Sequence, residues 1–351
     1  MRRCSVVVLA LVLTAMMMGG IPPWSAAQEA TPATTAGAKP QPPSQPATGP
    51  GSSEARFGGM TTIEQIPAGE IEADYWLFVP SDPLPGTTAA AEPLPLIIFG
   101  HSYTLRDPVY YLAWIEHLVR RGAVVLYLEY QADAPDVPWD YAVYRQNFLD
   151  DVRSALATLE HEGVPIDPAR VAAVGHSVGG VLAVDYAASA AAEELPVPAA
   201  VMAAAPGCGK CRVADLDAVP ATTRVLLVIA ADDSDPTGEG IVEQIWSGLS
   251  AVPLEQRDIV TVVSDTHGAP WLLATHEQAE AASPNDAAYA AIAPDALDWY
   301  GTWKWLDALM GCAFDEEWCE YALGNTTEQR FMGTWSDGVL VMEAEVTDAA
   351  A

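Results

Sequence analysis

Five short, uninterrupted apolar runs, Leu96–Phe99, Ala123–Leu128, Val171–Val174, Ala199–Ala204 and Val225–Ala230, and a sixth, Ile259–Val263, recur along the chain with helical patterns between them. A strand reads as a continuous apolar run when both of its faces are buried, as parallel strands are when helices cover both sides of the sheet. Between the second and third runs, Tyr144, Phe148, Val152, Ala155 and Leu159 form one helical stripe while Arg145, Asp150, Arg153 and Glu160 take the wet side. Further helices are expected over 109–121, 178–190, 239–250 and 295–310. This alternation predicts an α/β fold with a mostly parallel central sheet and helices on both faces. The segment Asp74–Val79 sets Tyr75, Leu77 and Val79 against Trp76 and Phe78, a period of two that suits an antiparallel edge strand. In such sheets ligands sit beyond the carboxyl ends of the strands, so the loops that follow strands are where functional side chains belong.

Ahead of these elements stand Arg2 and Arg3, an apolar run from Ser5 to Ile21, and Ser25-Ala26-Ala27 with small residues where a signal peptidase reads. Residues 1–27 therefore read as a cleaved signal peptide, exporting the chain to the periplasm or beyond, and no stable membrane anchor is expected. Residues 28–57 are rich in Pro, Thr, Ala, Ser and Gly with little to bury, so they read as a disordered linker. Residues 58–351 read as a single catalytic domain with a C-terminal extension from about 312. Lys and Arg number 16 against 47 Asp and Glu, a formal net charge of -31. Such a surface repels phosphate backbones, which excludes nucleic acid as a partner. Oligomeric state is not legible.

Four cysteines follow the export segment, Cys208 with Cys211 and Cys312 with Cys319. An oxidising compartment favours the two local disulfides. A four-cysteine zinc site is the alternative, disfavoured because six residues separate Cys312 from Cys319, where zinc ligands usually have about two to four between them. No metal or other cofactor is expected.

The chemistry concentrates after the strand Val171–Val174, where Gly175-His176-Ser177-Val178-Gly179-Gly180 leads into a helical segment. A serine on a tight strand-to-helix turn, with glycines where side chains would collide and a helix N-terminus behind it, has the context of a nucleophile. A serine hydroxyl needs a base, and the base needs an acid that fixes its tautomer. In this architecture they follow in the order Ser, acid, His, each after a later strand. After Val225–Ala230 come Asp232, Asp233 and Asp235, of which Asp233 fits best, with Asp232 and Asp235 kept as alternatives. After Ile259–Val263 comes His267, which the spacing selects as base, with His276 as the fallback. The oxyanion donors expected are the backbone N–H of Val178 and that of Tyr103, in the loop Gly100-His101-Ser102-Tyr103-Thr104 after an early strand.

These residues resemble the α/β-hydrolase superfamily. The Gly-His-Ser-Tyr-Thr loop and the Leu112–Val119 helix are similar to the branch that holds bacterial cutinases, polyester hydrolases, chlorophyllases and platelet-activating-factor acetylhydrolases. The resemblance covers about residues 70–310 and implies oxyanion roles for Tyr103 and Val178. The chain departs from the branch in two places. Ala205-Pro206 leads into Cys208-Gly-Lys-Cys211 rather than to a tryptophan, and about 28 residues separate His267 from the last helix. The expectation is a secreted serine hydrolase of small or lipid-like carboxylic esters that works through an acyl-enzyme on Ser177. A peptidase or acyltransferase on the same scaffold, and an exported binding protein without catalysis, are the alternatives. The tail Met332–Gly338 ends in a hairpin-like Asp-Gly signal to which sequence assigns no role.

Overall fold

The computed structural model describes residues 39–65, 74–86, 93–131 and 139–347. The proposed signal peptide and the first part of the proposed linker lie outside the described residues. Nine strands form one sheet: β1 (Phe57–Gln65), β2 (Asp74–Pro83), β3 (Leu94–Gly100), β4 (Val124–Glu129), β5 (Ile166–His176), β6 (Ala200–Ala204), β7 (Arg224–Ala230), β8 (Arg257–Val262) and β9 (Glu345–Thr347). Their spatial order is β1-β2-β4-β3-β5-β6-β7-β8-β9. Pairing is parallel from β4 through β8 and antiparallel at both margins, where β1 and β2 lie on one side and β9 on the other.

The continuous apolar runs have the cause the sequence suggests. In β3, Ile97 and Phe99 pack with Trp114, Ile115 and Leu118 of α1 (Leu112–Arg120) and with Trp305, Leu306 and Leu309 of α5 (Trp303–Asp315) on one face of the sheet. Leu96 and Ile98 alternate to the other face, against Phe148 and Val152 of α2 (Tyr141–His161), Val181 and Leu182 of α3 (Val178–Ser189), and Ile241 and Ile245 of α4 (Gly238–Gly248). Each fully buried aliphatic or aromatic side chain in these layers contributes about 2 kcal/mol of transfer free energy, which is why both faces are closed.

Three expectations need correction. The Asp74–Val79 strand is not an edge, because β1 pairs along it from Phe57 to Gln65. The last long helix does not begin at 295. Asp298–Thr302 forms a wider turn in which Gly301 leaves helical dihedrals (φ −113, ψ −108), and α5 starts only at Trp303. Residues 39–56, expected as disordered linker, are instead packed on the domain. The Gly51 N–H donates to the buried Asp307 carboxylate at 2.8 Å, Arg56 N–H donates to Arg120 O, and Ser52 has no exposed surface. A side chain at Gly51, which adopts φ +74, would lie 2.0 Å from the Trp299 carbonyl, so this contact requires glycine.

The C-terminal extension closes the sheet. Cys312 near the end of α5 is bonded to Cys319 at the start of the single turn α6 (Cys319–Ala322). After the short α7 (Thr327–Arg330), Thr334 bridges Leu340 around the Asp337-Gly338 turn, and β9 then adds to the edge of β8. Lys304 is buried and donates to the carbonyls of Glu328, Gln329 and Phe331, tying the end of α7 to α5. Cys208 and Cys211 are bonded to each other, so each thiol is used within its own pair and the four do not converge on one centre. Among the described residues no helix is long and apolar enough to cross a membrane.

Candidate active site

Ser177 stands between β5 and α3 with φ 55 and ψ −121, a conformation that costs a non-glycine residue free energy and persists because its surroundings fix it. Its amide donates to Ala204 O of β6 at 2.9 Å. A Cβ on Gly175 would lie 2.2 Å from Gly179 O, and one on Gly179 would lie 2.2 Å from Gly100 O. Backbone therefore touches backbone at two successive layers, and the loop after β3 is pressed directly against the first turn of α3. That approach brings the Gly100–Thr104 loop to the serine.

The Asp233 carboxylate lies three residues past the end of β7, as the sequence suggests, and its Oδ1 accepts the Asp235 amide at 2.7 Å while its Oδ2 faces His276 Nδ1 at 2.8 Å. His276 Nε2 lies 3.0 Å from Ser177 Oγ. Asp232 and Asp235 take neither position: Asp232 is exposed and its amide donates to Ala274 O, and Asp235 caps the Thr237 amide. A carboxylate only accepts, so His276 Nδ1 carries a proton and Nε2 is free to accept one from the hydroxyl.

His267, the histidine that spacing selects, is not part of this line. Its Nε2 lies 2.8 Å from Asp337 Oδ2 of the tail, its side chain is 38% exposed, and its ring meets the edge of Trp335. Beyond β8 the chain makes an excursion. Asp265 bridges Leu272, residues 266–271 form the tip, and the chain returns to the sheet before delivering a histidine. Trp271, Leu272, Leu273 and Ala274 alternate exposed and buried, the mark of a second extended stretch, and the short apolar run they form in sequence is the signal pointing past His267 to His276. Asp265 holds the excursion in place. One oxygen accepts the His267 amide, the other accepts Trp335 Nε1–H and the Met342 amide. Burial would raise its pKa, but these hydrogen bonds outweigh it and hold the carboxyl below the usual range.

The oxyanion donors expected from sequence are available. The Ser102 and Thr104 amides are occupied, by Tyr111 Oη at 3.1 Å and Gln131 Oε1 at 2.6 Å. Between them the Tyr103 amide, like that of Val178 at the head of α3, has no acceptor among the described residues. The Tyr103 ring is 44% exposed and meets Trp139 edge-on at 5.0 Å. Trp271 and Leu273, on the stretch leading into His276, are also exposed. His101 is buried, stacked on Tyr130 at 4.3 Å, and donates from Nδ1 to Ser102 O; burial pushes its pKa down to about 3, so it is a neutral packing group rather than a base.

A strained serine, an imidazole in contact with its hydroxyl, a carboxylate on the far nitrogen and two free amides form a set able to attack an acyl carbon and hold the resulting oxyanion. A family model described as alpha/beta hydrolase fold matches residues 97–236, a span that contains Ser177 and Asp233 and ends before His276. Among solved structures, carboxyl esterase 2 from the mycorrhizal fungus Tuber melanosporum is 19% identical over 75% of this chain and 92% of its own, with a TM-score of 0.49. A fungal esterase from Rhizomucor miehei is 15% identical over 70% of this chain and 81% of its own, with a TM-score of 0.47. No curated protein matches the sequence at a significant level.

Proposed function

The chain has the α/β-hydrolase fold, and on that scaffold we propose an exported serine hydrolase of carboxylic esters. The observation that supports the reading is the unbroken line Asp233–His276–Ser177, with contacts of 2.8 and 3.0 Å, ending at a serine held at positive φ. In the reaction, Ser177 Oγ adds to the acyl carbon as His276 Nε2 takes its proton, and Asp233 stabilises the imidazolium. The Val178 and Tyr103 N–H groups receive the negative charge that develops on the carbonyl oxygen. His276 returns the proton to the departing alcohol, leaving an acyl group on Ser177. Water, activated by the same imidazole, then releases the acid. The chemistry needs no metal or cofactor, and the exposed Tyr103 ring with Trp139 against it favours uncharged, small or lipid-like esters over anionic ones. Export through residues 1–27 belongs to the same proposal, and the two disulfides fit it.

The test is turnover of p-nitrophenyl butyrate. Ser177→Ala and His276→Asn each lower kcat by several orders of magnitude, toward the millionfold loss seen when other triads lose either member. His267→Asn retains activity. A fluorophosphonate labels the protein once, at Ser177. Turnover that survives Ser177→Ala, or that is lost in His267→Asn and kept in His276→Asn, overturns the assignment.

A further inference from the structure

His176, the residue before the serine, takes no part in the reaction above, yet it is fully buried and both of its ring nitrogens are engaged. Its Nε2 lies 2.8 Å from the backbone carbonyl of His276, and a carbonyl only accepts, so Nε2 carries the proton. Its Nδ1 lies 2.9 Å from Tyr111 Oη. Burial pushes the His176 pKa down to about 3, so the ring is neutral and Nδ1 must accept from the Tyr111 hydroxyl. With its own proton committed, that hydroxyl accepts the Ser102 amide at 3.1 Å. Each donor and acceptor therefore has one consistent role, and the chain runs Ser102 N–H to Tyr111 Oη–H to His176 Nδ1, then His176 Nε2–H to the His276 carbonyl.

Both ends of this chain are functional in the reading above. One is the amide beside Tyr103 in the oxyanion loop, and the other is the backbone of the base itself. We propose that His176 and Tyr111 are positioning residues that fix the separation of the oxyanion loop from the His276 backbone, and so keep the Tyr103 amide and His276 Nε2 aimed at the same acyl carbon. The inference rests on the triad assignment. Apolar side chains of the same volume fill this space without the cost of burying an imidazole and a phenol, but apolar contacts carry no direction, whereas hydrogen bonds set distance and angle. Small displacements matter here, because catalysis of this kind depends on near-attack geometry and on donors preorganised toward the oxyanion. The ring centroid of His176 lies 5.0 Å from that of His276, so its neutrality also spares the imidazolium a like charge as it forms.

The experiment compares His176→Gln, His176→Leu and Tyr111→Phe with wild type in p-nitrophenyl butyrate turnover and in the rate of fluorophosphonate labelling, with the thermal midpoint recorded for each. Glutamine reproduces both bonds, donating from its amide nitrogen and accepting on its oxygen; leucine reproduces neither. The expected result is a fall in kcat of roughly tenfold or more for His176→Leu with KM within about twofold, a parallel fall in labelling rate, and recovery of most of the rate in His176→Gln. Tyr111→Phe, which removes both the acceptor of the Ser102 amide and the donor to His176 Nδ1 but leaves the His176–His276 bond in place, loses a smaller part. Wild-type kcat and labelling in His176→Leu overturn the proposal, as does a His176→Gln variant as slow as the leucine one, since filling of space would then be what matters. Should His176→Leu fail to fold, Tyr111→Phe decides, and wild-type rates there overturn it. Ser177→Ala assayed alongside separates the two levels: activity in that variant defeats the triad itself, whereas a dead Ser177→Ala with an undiminished His176→Leu defeats only the positioning role.

Discussion

Replacing Asp307 by alanine should loosen the N-terminal segment and lower stability without touching the chemistry. One oxygen of this buried carboxylate receives the Gly51 amide at 2.8 Å, His117 Nε2 at 2.9 Å and Arg121 Nε at 3.2 Å. Removing it leaves a mostly buried guanidinium and a buried imidazole without their acceptor and frees residues 39–56 from α5. Breaking one partner out of a buried charge pair costs about 3–5 kcal/mol. For a domain of this size each kcal/mol moves the thermal midpoint by about 2 °C, so a drop of about 6–10 °C is expected in calorimetry at pH 7. Burial would raise the Asp307 pKa, but the charges of His117 and Arg121 and the hydrogen bonds from His117 and Gly51 prevail and leave it below the usual carboxylate value. A depressed folded-state pKa contributes stability that is present above the unfolded value of about 3.9 and is lost as pH falls through the folded one. The difference between wild type and variant should therefore persist near neutrality and shrink in acid below about pH 4. Asp307 lies beside the amino ends of the strands, with Pro95, Ala123 and Arg170 around the same cavity, so ester turnover at 25 °C should stay within about twofold of wild type. A midpoint shift below about 2 °C, or an unaltered rate of proteolysis within residues 39–56, would refute the reasoning.

Other perturbations have equally definite outcomes. Gly179→Ala places a methyl 2.2 Å from the Gly100 carbonyl, backbone that has nowhere to go, and should yield insoluble or inactive protein; a soluble variant with wild-type kcat would show that the close approach at the elbow is dispensable. His267→Asn removes a solvent-exposed contact with Asp337 and should leave kcat/KM within about twofold, as measured on a soluble ester. Cys312→Ser with Cys319→Ser opens a short loop and should lower stability by ~2 kcal/mol in urea titration, with the active site unaffected.

What the sequence made legible follows burial. Strands β3 to β7 stood out because helices cover both of their faces, and their central positions are apolar for that reason. The elbow was legible because Gly175 and Gly179 mark backbone contact, and Asp233 because β7 ends sharply at Ala230. Strand β1, FGGMTTIEQ, escaped notice: it pairs only with β2, at the edge, and its side chains carry little apolar pattern. Residues 39–56 read as linker since proline, glycine and serine bury little area, yet they are held by backbone hydrogen bonds and one carboxylate, neither of which leaves a hydropathy signature. His267 was preferred over His276 because the rule of a base soon after the strand ignores the Asp265–Leu272 detour, which is stabilised by tail residues some seventy positions downstream.

The seam between the two ends of the described chain bears on how the protein can be handled. Gln41 and Ser336 exchange two hydrogen bonds, the Pro40 carbonyl accepts the Ala269 amide, and Lys39 Nζ sits 5.8 Å from the Trp271 ring. Lys39 thus lies beside the stretch that leads to His276. A bead coupled at Lys39 therefore stands close to the Trp271 stretch and crowds bulky molecules approaching it, whereas one coupled at the exposed His161–Gly163 turn, ahead of the amino end of β5, leaves that stretch open to the bulk liquid.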